Sequence, residues 1–215
     1  MSNSFDVSTG RFRRSPGEAR RPEAGIASDA LVLACATAAE LRAARRSGVR
    51  SALVGLGAAN GVPEGPLVSF GLAGALRDGL PAGTVLDATR VVDGRGEVLW
   101  EGEPLGVEGG RPATILAAEA IVDSPEERRL LHERTGADAA DLESGPLART
   151  GRLQGVLRVV SDTPARPLGA LAGGVKDDGH YEWRGVIGGL LRSPLAALSA
   201  ARALNRLGSA AEGLS

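Results

Sequence analysis

The sequence is poor in cysteine, histidine and aromatic residues, and each shortage excludes a class of function. Its 215 residues include one cysteine, Cys35, and two histidines. A single thiol excludes an intramolecular disulfide and a metal site built from several thiolates, so we expect no metal site. Aromatic residues make up 3% of the chain, too few for the stacking platforms that bind single-stranded nucleic acid. A small domain built on small residues and backbone loops is predicted.

Strong charge of one sign and long apolar runs are also missing. The chain has 25 Lys and Arg against 26 Asp and Glu, a formal net charge of −1, which argues against a DNA-coating protein. No stretch reaches the roughly 18 apolar residues of a membrane helix, and the N-terminus lacks the apolar segment of a secretory signal. These features predict a soluble, cytoplasmic protein that does not bind nucleic acid.

The two ends of the chain differ from its middle. Residues 1–28 contain five arginines between Arg11 and Arg21, interrupted by proline and glycine, and predict a disordered Arg-rich tail. The alternative for this tail is a weak contact with an anionic surface, such as a membrane. Residues 29–207 are expected to form one domain, and residues 208–215 a frayed C-terminus.

Short apolar runs alternate with helix signals through this domain. Strands are predicted at residues 30–36, 51–54, 67–70, 84–92, within 113–122, and at 154–161. Thr37 predicts a helix start, Ser124 and Pro125 predict another that ends near Gly136, and residues 183–207 predict one or two helices interrupted near Pro194. Residues 93–112 are expected to form a hairpin or loop. The fold class is therefore α/β, a single domain with a central twisted, mixed or mostly parallel sheet flanked by helices.

Three acidic residues follow predicted strands. Ligands of open α/β sheets bind beyond the carboxyl ends of the strands, where Glu40, Glu143 and Asp162 are expected, with Gly-rich turns at 55–61 and 71–75. Each feature has a structural explanation: an acid in a first helical turn complements the helix dipole, and Gly-x-Gly makes tight turns. Together they suit acid–base cleavage of a glycosidic bond by two carboxyl groups. Backbone amides of the turns can approach a ribose or an anion closely.

Four segments carry a resemblance to a known family. They are residues 33–41 with Glu40, residues 68–76 followed by 79–85, the segment Ala-Asp-Leu-Glu-Ser at 140–144, and Arg-Val-Val-Ser-Asp at 158–162. In this order they resemble the nucleoside phosphorylase superfamily, and within it the adenosine-type nucleosidases. Residues 174–179 and 190–194 are similar to the hopanoid-associated phosphorylases in particular.

The resemblance implies an enzyme, a purine nucleosidase or nucleoside phosphorylase that cleaves the N-ribosidic bond of an adenosine derivative. Asp162 would protonate the departing purine at N7, and Glu40 would activate the attacking water. The resemblance places the ribose against Glu143, Leu142, Gly71, Leu72, Ala73 and Gly74, and the purine against Ile121, Val122 and Ser161. Adenine would be the released base.

The substrate candidates implied by the resemblance are an adenosylhopane-type lipid nucleoside, methylthioadenosine and S-adenosylhomocysteine. It implies no cofactor, phosphate as an alternative co-substrate to water, and a homodimer. Leu72 stands where the family often has Ser or Thr, the passage from Glu40 to Gly71 is short, and Arg77 is the nearest candidate for a phosphate ligand.

Two alternatives to an enzyme of this kind stay open. One is a non-catalytic nucleoside-binding domain, favoured by Leu72 and by the short passage before Gly71. The other is a Rossmann-like dinucleotide protein, which is weak because Gly55-x-Gly57 lacks the third glycine and the following acidic residue of that fingerprint.

Overall fold

The computed structural model of the protein describes residues 31–165 and 194–214, so the predicted tail, most of the irregular stretch at 165–180 and the start of the last predicted helix lie outside the described residues. The strands are β1 (Val32–Cys35), β2 (Ser51–Leu53), β3 (Leu67–Ala75), β4 (Val85–Val92), β5 (Val98–Glu101), β6 (Arg111–Ala117), β7 (Ala139–Asp141) and β8 (Leu153–Asp162). The α-helices are α1 (Ala38–Ala44), α2 (Pro125–Thr135), α3 (Ser144–Ala148) and α4 (Pro194–Ala211). Short 3₁₀ turns lie at 45–47, 56–58 and 212–214. None of these described helices has the length and apolar character to cross a membrane.

All eight strands belong to one mixed sheet. Its order is β2-β1-β3-β7-β6-β4-β5, and β8 pairs with both β3 and β4. Strands β1 and β3, β3 and β8, and β4 and β6 run parallel, whereas β7 is antiparallel to β3 and β8 is antiparallel to β4. The pairing of β3, β7, β6, β4 and β8 therefore closes into a ring. The predicted α/β domain with a mixed sheet is confirmed, and the closed ring is a feature that the sequence does not predict.

Local sequence explains where the helices begin and end. At the start of α1, the Thr37 hydroxyl accepts from the Glu40 N–H at 3.2 Å and the Glu40 carboxylate accepts from the Thr37 N–H at 2.8 Å, a reciprocal capping box. Helix α2 starts at Ser124 with proline in its first turn, and it ends where Gly136 takes φ +69°, a left-handed conformation that glycine adopts without strain.

The core lies on both faces of the sheet and is built from Ala, Val and Leu, as the composition predicts. Leu147 of α3 packs with the strand residues of one cluster. Leu207 of α4 and Ala43 of α1 pack with a second cluster that includes Phe70 and Cys35, both without exposed surface. The α1 and α4 helices thus cover one part of the sheet and α3 another.

Three predicted boundaries differ from the structure. Residues 71–75 do not form a turn but continue β3, because β8 pairs alongside as far as Gly74 and β7 pairs with Gly74 and Ala75. Strand β6 ends at Ala117, so Ile121 and Val122 lie in the segment that connects it to α2. At the other end, α4 continues past residue 207 to Ala211, which is fully buried. The stretch at residues 93–112, predicted as a hairpin or loop, contributes β5, which forms a hairpin with the preceding β4.

Candidate active site

The Glu40 carboxylate accepts a hydrogen bond from the backbone of β3, just beyond the point where β1 stops pairing with that strand. The pairing of β1 with β3 ends at Cys35 and Phe70, and two residues further along β3 the N–H of Leu72 donates to Oε1 of Glu40 at 2.9 Å. The Oε2 atom accepts from the backbone and the hydroxyl of Thr37. Both carboxylate oxygens are thus held in place, and the buried Glu40 side chain lies directly against β3.

Arg158, on β8 beside β3, pairs with a second group of carboxylates. This guanidinium is fully buried and its Nη2 lies 2.5 Å from Asp141 Oδ2 and 3.6 Å from Glu143 Oε2. The same nitrogen donates to the hydroxyl of Ser69 at 2.5 Å. The Nε and Nη1 atoms are buried and have no hydrogen-bond partner within the described part of the chain. We call Glu40, Asp141, Glu143 and Arg158 the acidic cluster.

Gly71 separates the two halves of this cluster. A Cβ atom built on Gly71 would lie 2.5 Å from Arg158 Nη1 and 2.8 Å from the carboxyl carbon of Glu40, and a Glu40 oxygen would be closer still. Any side chain at this position would collide with both groups. The absence of a Cβ atom therefore leaves the space in which Glu40 and Arg158 approach the same point.

Glu143 is a buried carboxyl group of this cluster with an altered pKa. Burial raises the pKa of Glu143 to about 7, although the Arg158 guanidinium opposes that change and Asp141 and Glu40 add to it. Its Oε1 accepts from the N–H of Gly57 at 3.3 Å. The loop at residues 55–61 thus reaches the carboxyl group that the resemblance assigns to ribose binding.

Asp162 lies at the end of β8 beside a second buried arginine. Its Oδ2 accepts from Nη2 of Arg128 and its Oδ1 accepts from the Ser161 hydroxyl at 2.5 Å. Ser161 is the extra residue at a register shift opposite Ala73 and Gly74, and its hydroxyl also lies 3.2 Å from the Ala73 carbonyl oxygen. Burial raises the pKa of Asp162, and the neighbouring Arg128 and Ser161 lower it in part.

Strand β3 brings most of the predicted ribose and purine residues together. Gly71 and Leu72 contact the acidic cluster, while Ala73 and Gly74 contact Ser161 and Asp162. Of the other predicted contact residues, the half-buried Leu142 lies between two members of the cluster in sequence, and the Val122 carbonyl accepts from Arg128 Nε at 3.0 Å. Ile121, also half-buried, precedes Val122.

Arg77 is not brought to this site. Its Nε pairs with Asp138 Oδ1 at 2.6 Å, and its side chain is 39% exposed. The structure therefore does not support Arg77 as the phosphate ligand. A partly exposed ion pair with Asp138 accounts for the position of its side chain. Among the described residues, no group of three or more His, Cys, Asp or Glu side chains is placed to hold a metal ion.

Two arginines and one aspartate of the site receive no role from the sequence alone. Arg158 and Asp141 lie inside the segments that resemble the family. The sequence signal for Arg158 was a charged residue within the otherwise apolar strand at residues 156–160. Arg128 left no comparable signal, because α2 is polar on most of its surface and Arg128 is its one buried residue. A charged residue that points inward cannot be told from its exposed neighbours by spacing.

Comparison with known proteins supports the fold. No protein-family model and no curated protein matches the sequence. Among solved structures, 5′-methylthioadenosine/S-adenosylhomocysteine nucleosidase from Neisseria meningitidis is 17% identical, with a TM-score of 0.51 over 84% of this chain and 99% of that chain. The corresponding enzyme from S. pneumoniae is 13% identical, with a TM-score of 0.52 over 84% and 98%. Futalosine hydrolase from Helicobacter pylori is 14% identical, with a TM-score of 0.50 over 82% and 96%. The chain therefore has the α/β fold of these nucleoside hydrolases, as the sequence resemblance predicts.

Proposed function

We propose that the protein is a purine nucleosidase that hydrolyses the N-ribosidic bond of an adenosine derivative and releases adenine. The observation that supports this proposal is the placement of three buried carboxyl groups, Glu40, Glu143 and Asp162, around the last residues of β3. The sequence resemblance assigns these same three residues to the chemistry. Hydrolysis breaks the bond between C1′ of the ribose and N9 of the purine, and the bonding electron pair leaves with the base.

Asp162 is the proposed general acid. A carboxyl group that donates a proton must hold one near neutral pH, and burial raises the pKa of Asp162 in that direction. Proton transfer to purine N7 makes the base a neutral leaving group. General acid assistance of this kind contributes about 10²–10⁴-fold to a rate.

Glu40 is the proposed general base, and water is the proposed nucleophile. The Glu40 carboxylate is fixed by hydrogen bonds from the Leu72 N–H and from Thr37, so it could accept the proton of a water bound beside the ribose. The water oxygen bonds to C1′ and its proton passes to Glu40. Three carboxyl groups share one guanidinium in the acidic cluster, and this excess of negative charge disfavours a phosphate ion as the nucleophile.

Glu143 is the proposed ribose ligand. As an ionised carboxylate it accepts hydrogen bonds from sugar hydroxyls, and its charge offsets the positive charge that develops on the ribose in an oxocarbenium-like transition state. In the structure Glu143 accepts a hydrogen bond from the Gly57 N–H, so the loop at residues 55–61 would lie over the sugar at this side.

The substituent at the ribose 5′ position defines the candidate substrates. Methylthioadenosine and S-adenosylhomocysteine appear in the names of the similar nucleosidases, and futalosine in the name of the similar hydrolase. The sequence resemblance adds an adenosylhopane-type lipid nucleoside. A cytoplasmic location, a homodimer and membrane contact through residues 1–28 stay predictions.

Base release from these four nucleosides tests the proposal. We expect the wild-type protein to release adenine from at least one of the three adenosine derivatives without added phosphate, and the Asp162→Asn variant to release no base from any of the four. Asp93→Asn is the control, because Asp93 accepts, within the described part of the chain, the backbone N–H groups of Arg95 and Glu97 in its own turn. Full activity of the Asp162→Asn variant would contradict the assignment. Binding of a nucleoside without turnover would instead identify a nucleoside-binding domain.

A further inference from the structure

Arg128 joins three segments of the candidate site. The side chain is 2% exposed, and its Nε donates to the Val122 carbonyl at 3.0 Å and its Nη1 to the Ala75 carbonyl at 3.1 Å. Its Nη2 pairs with Oδ2 of Asp162. The segment before α2, the end of β3 and the end of β8 therefore meet at one guanidinium, whose planar fork is suited to three fixed acceptors.

The two oxygens of Asp162 have different neighbours, and this decides where a proton can reside. Oδ2 faces the Arg128 guanidinium, which donates hydrogen bonds and cannot accept one. Oδ1 faces the Ser161 hydroxyl, which can turn its hydrogen toward the Ala73 carbonyl oxygen at 3.2 Å and accept instead. Neutral Asp162 must therefore carry its proton on Oδ1.

We propose that Arg128 is a positioning residue for the proton donor of this site: it occupies Oδ2 of Asp162, leaves Oδ1 as the oxygen that gives up the proton, and fixes that oxygen relative to Val122. This inference rests on the proposed function. When Oδ1 delivers its proton to the purine, the carboxylate that forms is already paired with a cation on Oδ2. The Ser161 hydroxyl can then turn back to donate to Oδ1.

The charges around Asp162 make this role measurable. Arg128 of α2 lowers the pKa of Asp162, and Asp123, in the segment before α2, raises it. The Oδ1 atom of Asp123 is buried without a hydrogen-bond partner among the described residues. Without Arg128, burial and Asp123 would act on Asp162 with only Ser161 in opposition. A general acid works only while protonated, so the loss of activity at high pH would then move to higher pH.

Two variants separate the charge of Arg128 from its shape. Arg128→Met removes both, and we expect it to move the high-pH limb of kcat upward by about 1–3 pH units, the usual effect of an opposite charge at this range. Arg128→Lys retains the positive charge, so we expect the high-pH limb of kcat to be almost unchanged. The lysine side chain cannot reach all three acceptors of Arg128. In both variants we expect kcat to fall by about 10²-fold, as for a misplaced reacting group, with little change in KM.

A readout without substrate accompanies the kinetics. In protein labelled with ¹³C-aspartate, the side-chain carbonyl signal that is lost in Asp162→Asn reports the titration of Asp162 in the wild type and in both variants. Arg129→Met is the control, because Arg129 lies next in the same helix and its only described hydrogen bond is to the exposed Pro125 carbonyl. Thermal unfolding monitors the fold of each variant, and Arg128→Lys alone decides the outcome where Arg128→Met does not fold.

The outcomes are distinct. An unchanged pH limb and unchanged Asp162 titration in Arg128→Met would overturn the proposal even if activity fell, since a structural role alone would produce that result. Wild-type kcat in Arg128→Lys would also overturn it. If the wild type releases no base from any nucleoside, the proposed function fails, and the ¹³C titration still shows whether Arg128 controls the proton of Asp162.

Discussion

Replacement of Gly71 by alanine is the sharpest test of how the site is packed. The added Cβ atom would lie 2.5 Å from Arg158 Nη1 and 2.8 Å from Glu40 Cδ, whereas real Cβ atoms essentially never approach a heavy atom within 3.0 Å. Glu40 is 3% exposed and Arg158 0%, so neither can swing into solvent. One of them must move within a closed interior, and the hydrogen bond from Leu72 to Glu40 is the contact most directly affected.

The magnitude follows from two terms. Overpacking of a well-packed interior costs about 1–3 kcal/mol, and a hydrogen bond to a charged group contributes about 1.5–3 kcal/mol. We therefore expect Gly71→Ala to lose about 3–5 kcal/mol of unfolding free energy. For a protein of this size each kcal/mol lowers Tm by about 2–4 °C, so a fall of roughly 10 °C is expected. Because Glu40 is also the proposed general base, kcat should fall by at least about 10²-fold.

Differential scanning calorimetry and a base-release assay measure both effects. Gly94→Ala is the matched control, since its Cβ atom would meet nothing closer than 3.9 Å and its φ lies outside the left-handed region. That change is expected to alter stability by less than about 1 kcal/mol in either direction. If Gly71→Ala has the same Tm as Gly94→Ala and retains the wild-type kcat, Glu40 and Arg158 do not approach each other closely across Gly71.

Two further predictions concern charge. A folded-state pKa of about 7 for Glu143, against an ordinary 4.5, means that the folded state binds this proton more tightly than the unfolded chain does. The free energy of unfolding is then expected to fall by about 3 kcal/mol through this group as pH rises from about 4.5 to about 7. Denaturant unfolding between about pH 5 and pH 8 should show a smaller fall in Glu143→Gln than in the wild type. An equal fall in both proteins would contradict the raised pKa of Glu143. Arg77→Met should leave base release and its independence of phosphate unchanged, because Arg77 forms a partly exposed ion pair with Asp138, which contributes about 0–1 kcal/mol to stability. A new requirement for phosphate, or a loss of activity, would show that Arg77 takes part in the active site.

Local signals in the sequence predicted the helix starts and most of the strands. Capping depends on a few adjacent residues, so Thr37 and Ser124 mark the starts of α1 and α2 correctly. The error at residues 71–75 has a nonlocal cause. Two glycines in four residues favour a turn, but pairing with β8 and β7, more than 60 residues away in sequence, holds this segment extended.

The candidate site was predictable where a carboxylate follows a strand. Glu40, Glu143 and Asp162 are buried beside β3, as their positions after predicted strands indicate. The two arginines that hold these carboxylates were not predictable in their roles, because each meets its partners only in the closed sheet. Arg128 reaches Asp162 across 34 positions of sequence, and no periodic pattern in α2 distinguishes it from the exposed Arg129.

The single thiol of the chain has a practical consequence. Cys35 lies in β1 with no exposed surface, and burial together with the neighbouring Glu40 raises its pKa, so almost no reactive thiolate forms. Maleimide reagents should therefore leave the folded wild-type protein unmodified. A cysteine introduced at Leu130, which is 64% exposed on α2 two residues beyond Arg128, would be labelled alone. A fluorophore placed there would report on the helix that holds the proposed proton donor, against a native background without signal.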